Sequence, residues 1–287
     1  MRLGLGTVQF GLDYGVTNQT GQVALEEIRD LLILAKNNQI TVLDTAPAYG
    51  DAEENLGKLS LTQGMHLVTK IPKLAENEIN IESYINKSLF NLKVNQLDAI
   101  LFHQVEDIIS APFAELRFES LLKQKQLGRV SKVGVSVYQP EQLDFCLKHY
   151  PIDIVQLPLN VLDQRFIQGG WLNKLADKGV EVHCRSIFLQ GLLLMDLKEI
   201  PDYFLPFKSY FERFIDTAKQ LQVSVVSLAL AVALQCKEVS RVLVGCCNTK
   251  QLQEIIKAYL VAVKLNDDLS HLACQDEQLL LPMNWQL

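Results

Sequence analysis

At 287 residues, 48% of them hydrophobic and 21% charged, the chain can fill one large core or two small ones and leaves no room for long disorder. Its 27 basic and 33 acidic side chains give a net charge of −6, with both signs mixed and no basic block, which argues against nucleic acid or an anionic membrane as the main partner. Six cysteines without CxxC spacing, no secretion-type opening after Met1, and apolar runs that break well short of the ~20 residues of a membrane span point to a soluble, reduced, cytoplasmic protein.

Residues 2–6 read as a short strand, and a glycine-punctuated loop follows to about residue 23. Residues 24–38 carry Leu25, Ile28, Leu31, Leu32 and Ala35 at helical spacing. A strand at 40–43 ends on Asp44 and breaks into Thr45-Ala46-Pro47-Ala48-Tyr49-Gly50, ahead of a helix over 52–59. Then come a strand at 66–69 ending on Lys70, a helix over 81–93, a strand at 97–102 ending on His103, and a helix over 112–125. The alternation continues with a strand at 132–135 ending on Ser136, a helix over 140–148, and a strand at 152–155 ending on Gln156. A loop over 158–168 precedes a helix at 171–178 and a strand at 180–184 that ends on Arg185. A long, partly helical loop over 187–206 leads to helices at 207–220 and 225–235, a strand at 241–244, a helix over 250–262, and a tail with Trp285 and little periodicity.

Eight apolar strands without strict alternation, most followed by a helix, are the signature of parallel strands covered on the outside. No linker divides the chain, so a single (β/α)8 barrel over 1–287 is expected, with substrate-side loops near 104–112, 187–206 and the tail 265–287. A doubly wound dinucleotide fold is disfavoured, because Gly4-Leu5-Gly6 lacks the third glycine and its loop is too long for a pyrophosphate turn.

In a barrel the carboxyl ends of the strands converge, which brings Asp44, Lys70, His103, Ser136, Gln156 and Arg185 to one mouth. Each alone has an ordinary reading as a cap, a solvated charge or a satisfied polar group. Together they suggest chemistry. A tyrosine, with an unperturbed pKa of about 10, needs a neighbouring cation to give up its proton readily. Lys70 can supply that cation, Asp44 can hold it, and His103 can hydrogen-bond a substrate oxygen, an arrangement suited to protonating a carbonyl as hydride reaches its carbon.

Gly4-Leu5-Gly6-Thr7, the Leu43 to Gly50 stretch followed by Glu54-Asn55-Leu56-Gly57, and then Thr69-Lys70, Phe102-His103 and Gly134-Val135-Ser136 together resemble the aldo-keto reductase superfamily over nearly the whole chain. The resemblance implies a (β/α)8 barrel that binds a nicotinamide dinucleotide in extended form, with Asp44, Tyr49, Lys70 and His103 as a catalytic tetrad and Tyr49 as proton donor. It assigns Gly6, Thr7, Asp44, Ser136, Gln156, Arg185, Gly245, Cys247, Gln251 and Glu254 to the dinucleotide. Ser136 and Gln156 would hold the nicotinamide carboxamide, with the Gln156 and Asn160 spacing kept, and the 244–254 junction the adenosine phosphate end, where helix-start N–H groups suit phosphate. An ordinary helix capped by Asn248 or Thr249 explains that junction equally.

Three positions depart from the family pattern. Arg185 stands where most relatives place an aromatic residue against the nicotinamide. A planar guanidinium can stack there and, being positive, should favour the reduced cofactor, unless it binds an anionic substrate or points to solvent. No arginine lies near Gln251 to grip a 2′-phosphate, although Lys250 is close and some members carry glutamine there, and NADPH remains the first choice with NADH a serious rival. Val137 follows Ser136 where asparagine is frequent.

The leading expectation is therefore a reductase of aldehydes or ketones acting on a small-molecule substrate. The alternative from another class is a nicotinamide-binding sensor or regulator with little turnover. A metal-dependent hydrolase is disfavoured, because His66, His103, His149, His183 and His271 have no HxH or HExxH spacing and no metal ligands are assigned. Tyr14, Trp171 and Phe188 are candidate pocket aromatics. Cys246-Cys247 read as packing residues, since a bridge between neighbours would strain the peptide. No apolar helix face marks a dimer seam, which leaves the oligomeric state open.

Overall fold

The computed structural model describes residues 1–286, so the last residue of the 265–287 tail lies outside the described residues. Eight parallel strands run in chain order: β1 (Leu3–Gly6), β2 (Val42–Asp44), β3 (His66–Ile71), β4 (Leu97–Phe102), β5 (Val130–Ser136), β6 (Ile154–Pro158), β7 (Glu181–Arg185) and β8 (Val239–Gly245). Each pairs with its neighbour and β8 returns to β1, closing the expected (β/α)8 barrel. The helices are α1 (Leu25–Asn37), α2 (Ala52–Leu59), α3 (Glu82–Leu92), α4 (Glu106–Ile109), α5 (Ala114–Gln126), α6 (Pro140–His149), α7 (Arg165–Gln168), α8 (Trp171–Asp177), α9 (Lys208–Gln220), α10 (Val225–Gln235), α11 (Thr249–Ala262) and α12 (Glu277–Leu280).

The strand registers explain why polar residues sit where they do. Side chains alternate along a strand, so one parity points into the barrel. Along that parity the middle of the barrel is filled by Val42, Val68, Ala99, Leu101, Ile154 and Leu243, an apolar plug separate from the larger core between strands and helices. One residue pair further toward the carboxyl ends, the same parity presents Gly6, Asp44, Lys70, His103, Ser136, Gln156, Arg185 and Gly245. One step the other way lie His66, Lys132, Glu181, His183 and Arg241, which with Asp98 surround a cavity of about 90 Å³ at the barrel base. That base is tied by His66 to Asp98 (2.6 Å), by His183 to Glu181 (2.8 Å) and by Lys132 to Glu181.

Strand limits differ from expectation by a few residues, because neighbours rather than local composition decide where a ladder ends. Asp44 and Arg185 are the last residues of β2 and β7 rather than lying beyond them, Lys70 and Gln156 lie inside β3 and β6, and Ile40 precedes β2. Two segments read as loops hold short helical pieces, α4 within 104–112 and a 3₁₀ turn at Val8–Phe10; the short turn within 158–168 is α7, and the partly helical loop over 187–206 carries 3₁₀ turns at Leu189–Leu194 and Asp202–Phe207. The tail folds into α12 between two further 3₁₀ turns. Trp285 locks it down, donating to the Leu279 carbonyl (3.1 Å) and meeting Phe204 edge to face, while the Tyr203 hydroxyl reaches the Gln278 and Asn284 carbonyls (both 3.0 Å).

The barrel seam is tied by Arg2, whose guanidinium donates to the carbonyls of Leu234, Cys236 (2.8 Å) and Val239 (3.1 Å), between α10 and β8. Among the described residues no single helix is long and apolar enough to cross a membrane. The pair Asp202–Gln220 and Val225–Gln235, bent by 93°, matches a span by length and composition. The apolarity of α10 has a nearer cause, since Ser227 through Leu234 are buried between β8 and α11.

Candidate functional site

The centre of the polar layer is an ion pair. Lys70 and Asp44, 1% and 4% exposed, meet with the ammonium chelated by both carboxylate oxygens (2.9 and 2.8 Å) and by the Thr45 carbonyl (3.0 Å). The Gln156 amide donates to the same carboxylate (2.7 Å). Thr7 fixes Asp44 from behind, its N–H and its hydroxyl both donating to the Asp44 carbonyl at 3.0 Å. A buried pair with all its donors met is held in one geometry.

Tyr49 leaves β2 through a turn that two glycines permit. A Cβ at Gly11 would lie 1.8 Å from the Tyr49 carbonyl oxygen, and one at Gly50 (φ +57°) would lie 2.3 Å from the Gly11 carbonyl, so only bare backbones approach this closely. Asn55 reaches back from α2 to the Phe10 carbonyl (2.9 Å) and completes the clamp. The turn sets the Tyr49 ring 4.9 Å from the Lys70 ammonium and edge-on to His103, with ring centroids 5.8 Å apart. The four residues expected at one mouth are thus side by side.

Burial, the largest influence, together with Asp44 leaves the pKa of the Tyr49 phenol raised, although Lys70 pulls it down. Burial acts against the Lys70 charge, but Asp44 first and Tyr49 next outweigh it and leave the ammonium above its usual range. His103 is pushed down to about 4, by burial first and then by the Lys70 cation, so at neutral pH its imidazole is uncharged.

The residues expected to hold a dinucleotide occupy two places. Beside the ion pair, Gln156 is fully buried and its carbonyl oxygen has no partner, an unmet acceptor suited to an amide N–H donor such as a nicotinamide carboxamide; Ser136, 3% exposed, pairs with it across β5 and β6. Thr7 is fully buried with both its donors committed to Asp44, which makes it a positioning residue in this geometry. Gly6 and Gly245 face one another across the β1–β8 seam, bare of side chains. Beyond them Cys247, Gln251 and Glu254 lie at the start of α11, where Asn248 caps the Gln251 N–H (2.9 Å) and the Gln251 side chain accepts from the Cys247 N–H (2.7 Å).

Arg185 is half-buried and makes no ion pair with an acid among the described residues. Its guanidinium lies over the Tyr138 ring at 3.9 Å and donates to the Val137 carbonyl (3.0 Å) and the Ser186 hydroxyl (3.3 Å). Tyr14 stands close by, its phenol pushed up to about 12 by burial and by Tyr138 and Tyr49, with Arg185 pulling the other way. The segment after β7 is strained, with Ser186, Leu189 and Gln190 all at positive φ, and is anchored by Asn160 to the Ser186 carbonyl (3.0 Å) and by the Val16 N–H to Gln190 (3.1 Å). Trp171 lies away from this group, under the Lys174 ammonium at 4.1 Å, which reaches Asp144 on α6.

Two residues of the site escaped sequence reading. Tyr138, two residues past Ser136, carries the Arg185 stack. Glu27 on α1 accepts from the Thr249 N–H at the start of α11 (2.6 Å). An aromatic residue near a strand end is a weak signal for the first; nothing local signals a contact across 222 positions for the second. Among the described residues no group of three His, Cys, Asp or Glu side chains is placed to hold a metal ion.

The family model described as Aldo/keto reductase family matches residues 2–272. The chain is similar to an aldo-keto reductase, YhdN, of Bacillus subtilis, 28% identical over 178 residues that cover 57% of this chain and about half (51%) of that protein. It is 26% identical to L-galactose dehydrogenase of Arabidopsis thaliana over 276 residues, covering 89% of this chain and 83% of the relative. In fold it is like the holo form of aldo-keto reductase AKR11C1 from Bacillus halodurans, with a TM-score of 0.75 and 20% identity over 96% of this chain and 93% of that one.

Proposed function

Given that this chain belongs to the aldo/keto reductase family, we propose that it is an oxidoreductase that reduces an aldehyde or ketone to an alcohol, a nicotinamide dinucleotide supplying the hydride when bound. The observation that carries the reading is the buried Lys70 ammonium, chelated by Asp44 and set against Tyr49 and His103 at the barrel mouth.

In this reading Tyr49 is the general acid. Its phenol, kept protonated by burial, holds the proton until negative charge develops on the carbonyl oxygen, and Lys70 then stabilises the phenolate left behind. Asp44 keeps Lys70 charged and in place. His103, neutral, donates a ring N–H to the substrate oxygen without competing to deliver a proton. Gln156 and Ser136 would hold the carboxamide, and Gly6, Gly245, Cys247, Gln251 and Glu254 line the path toward the adenosine end. Arg185, fixed on Tyr138, would set a positive charge at the mouth that favours the reduced over the oxidised dinucleotide. The loops near 104–112 and 187–206 and the tail from 265 would bound the substrate, with the tail locked by Trp285 rather than free.

The test is to titrate the protein with NADH and NADPH and then follow dinucleotide oxidation across aldehydes, ketones and sugars. Tyr49→Phe should lower kcat about 10²–10⁴-fold, the range for loss of a general acid, while dinucleotide still binds. Turnover indifferent to that change would refute Tyr49 as the acid. Binding without turnover on any substrate class would favour the sensor reading instead.

A further inference from the structure

A second polar cluster lies at the barrel base, on the far side of the apolar plug from Tyr49 and Lys70. The cavity of about 90 Å³ there is walled on its inner side by Val42, Val68, Ala99 and Ile154, all members of that plug. Its remaining wall is made of His66, Asp98, Lys132, Glu181, His183 and Arg241. His66 and Lys132 are exposed, so solvent reaches the cavity from below. These acids and imidazoles are not placed to hold a metal ion.

Both carboxylates are already engaged. Asp98 accepts from His66 (2.6 Å) and from the Leu67 N–H (2.8 Å), and Glu181 accepts from His183 (2.8 Å) and from Lys132. The His183 bond first, and then Lys132 against the opposing effect of burial, hold the Glu181 carboxyl down to about 2, so it is ionised and can only accept. The His183 Nε2 that faces it therefore carries a hydrogen.

Two groups remain over. His183 is 1% exposed, and its other ring nitrogen, Nδ1, has no hydrogen-bond partner. Arg241 is its register partner across β7 and β8, and among the described residues its guanidinium meets one acceptor, the Ser240 carbonyl (2.8 Å). A buried polar atom without a partner is costly and calls for one. As imidazolium, His183 donates from Nδ1 beside a guanidinium whose fork is largely unclaimed, and a ligand of several oxygens answers both. Lys132 and Arg241 then outweigh Asp98 and Glu181 by the charge on His183, which makes the cavity positive.

We propose that the barrel base is a binding site for one small tetrahedral oxyanion, phosphate or sulfate in kind, held by the Arg241 guanidinium and the Nδ1–H of His183. The size agrees, since about 90 Å³ takes about three waters at ~30 Å³ each and no nucleotide. The location gives the anion work to do. The register between β7 and β8 shifts between Val182 and His183, and an anion bridging His183 to Arg241 ties the two strands where their own ladder is irregular.

Calorimetric titration of the full chain with phosphate, at constant pH and ionic strength, should show one saturable site for which sulfate competes. Arg241→Met and His183→Leu should each weaken phosphate about tenfold or more, the loss expected for a charge-assisted hydrogen bond, with thermal melting to show that the variants are folded. Arg241→Lys, which keeps the charge and loses the fork, is read should Arg241→Met fail to fold, and should weaken phosphate several-fold. Phosphate should raise the Tm of wild type by mass action and that of folded Arg241→Met by less. No saturable heat at millimolar phosphate would leave the cavity to water and overturn the assignment. Phosphate bound equally well by wild type and the folded variants would place the anion elsewhere and overturn it too, and acetate bound more tightly than phosphate would overturn the choice of a tetrahedral anion.

Discussion

Replacing Asp44 with asparagine tests the centre of the site by removing one charge and almost no volume. The carboxylate now receives three donated hydrogen bonds, two from Lys70 at 2.9 and 2.8 Å and one from Gln156 at 2.7 Å. Asparagine offers one acceptor oxygen and turns an N–H₂ toward the remaining donors. Lys70, 1% exposed, is left as a buried ammonium with neutral acceptors, the new amide oxygen and the Thr45 carbonyl, and no carboxylate to balance its charge. Breaking a buried pair from one side costs about 3–5 kcal/mol. For a chain of this length that corresponds to a drop in Tm of about 5–8 °C. Lys70→Met added to Asp44→Asn removes the stranded charge and should return about 1–3 kcal/mol, a recovery that urea melts of both single variants and the double variant will measure. Carbonyl reduction should be nearly abolished in all three. The reasoning fails if Asp44→Asn costs under about 1 kcal/mol, or if the double variant is no more stable than Asp44→Asn alone.

Three further outcomes follow from other residues. His103 has a folded pKa of about 4 against about 6.5 unfolded, so between those values the unfolded chain binds more protons. Stability is then complete above about pH 6.5 and falls as the pH drops toward 4; His103→Gln should flatten that limb in pH-dependent melts, and an unchanged limb counts against a buried neutral imidazole. Arg117, 1% exposed, donates to the carbonyls of Ala75 (2.7 Å), Glu76 (3.0 Å), Glu78 (2.8 Å) and Asp107 (3.0 Å). Arg117→Ala strands these acceptors and Asp107 and should cost about 3–5 kcal/mol, with limited proteolysis cutting first within 72–80; resistance equal to wild type would contradict this. On the proposed reading, in which the guanidinium disfavours oxidised dinucleotide, Arg185→Tyr should narrow the ratio of dissociation constants between oxidised and reduced forms, and equal ratios in the two proteins would remove that role from Arg185.

The barrel was legible because its strands are buried on both faces and so read as apolar runs, six of the eight carrying at or just past the carboxyl end a polar residue whose parity carries it inward. Asp44, Lys70, His103, Ser136, Gln156 and Arg185 could be picked out as a group for that reason. Their environment could not. Whether Lys70 or burial governs the Tyr49 phenol depends on how much protein surrounds the ring, a quantity no motif contains. The Arg185 stack needs Tyr138, just past β5, to reach across the β6 end to β7, and Glu27 at Thr249 needs α1 and α11 to meet. Strand limits were blurred for a related cause: Ile40 is as apolar as Val42, yet the β1 partner begins only at Gly4, opposite Val42. The folded tail went unread because its order comes from Trp285 against Phe204, a contact with no periodicity.

The seam tied by Arg2 also sets an order in time. During synthesis β1 emerges first and must wait for its second neighbour until β8 exists, more than 230 residues later. Until then β1 and the latest strand both present open edges, the condition in which parallel sheets are slow to fold and prone to associate. The Lys70–Asp44 centre can assemble early, from β2 and β3. The Gly6–Gly245 seam and the Glu27–Thr249 bond come last, so a chain cut short after β3 but before residue 239 would hold both members of the ion pair but neither a closed barrel nor its α11 end.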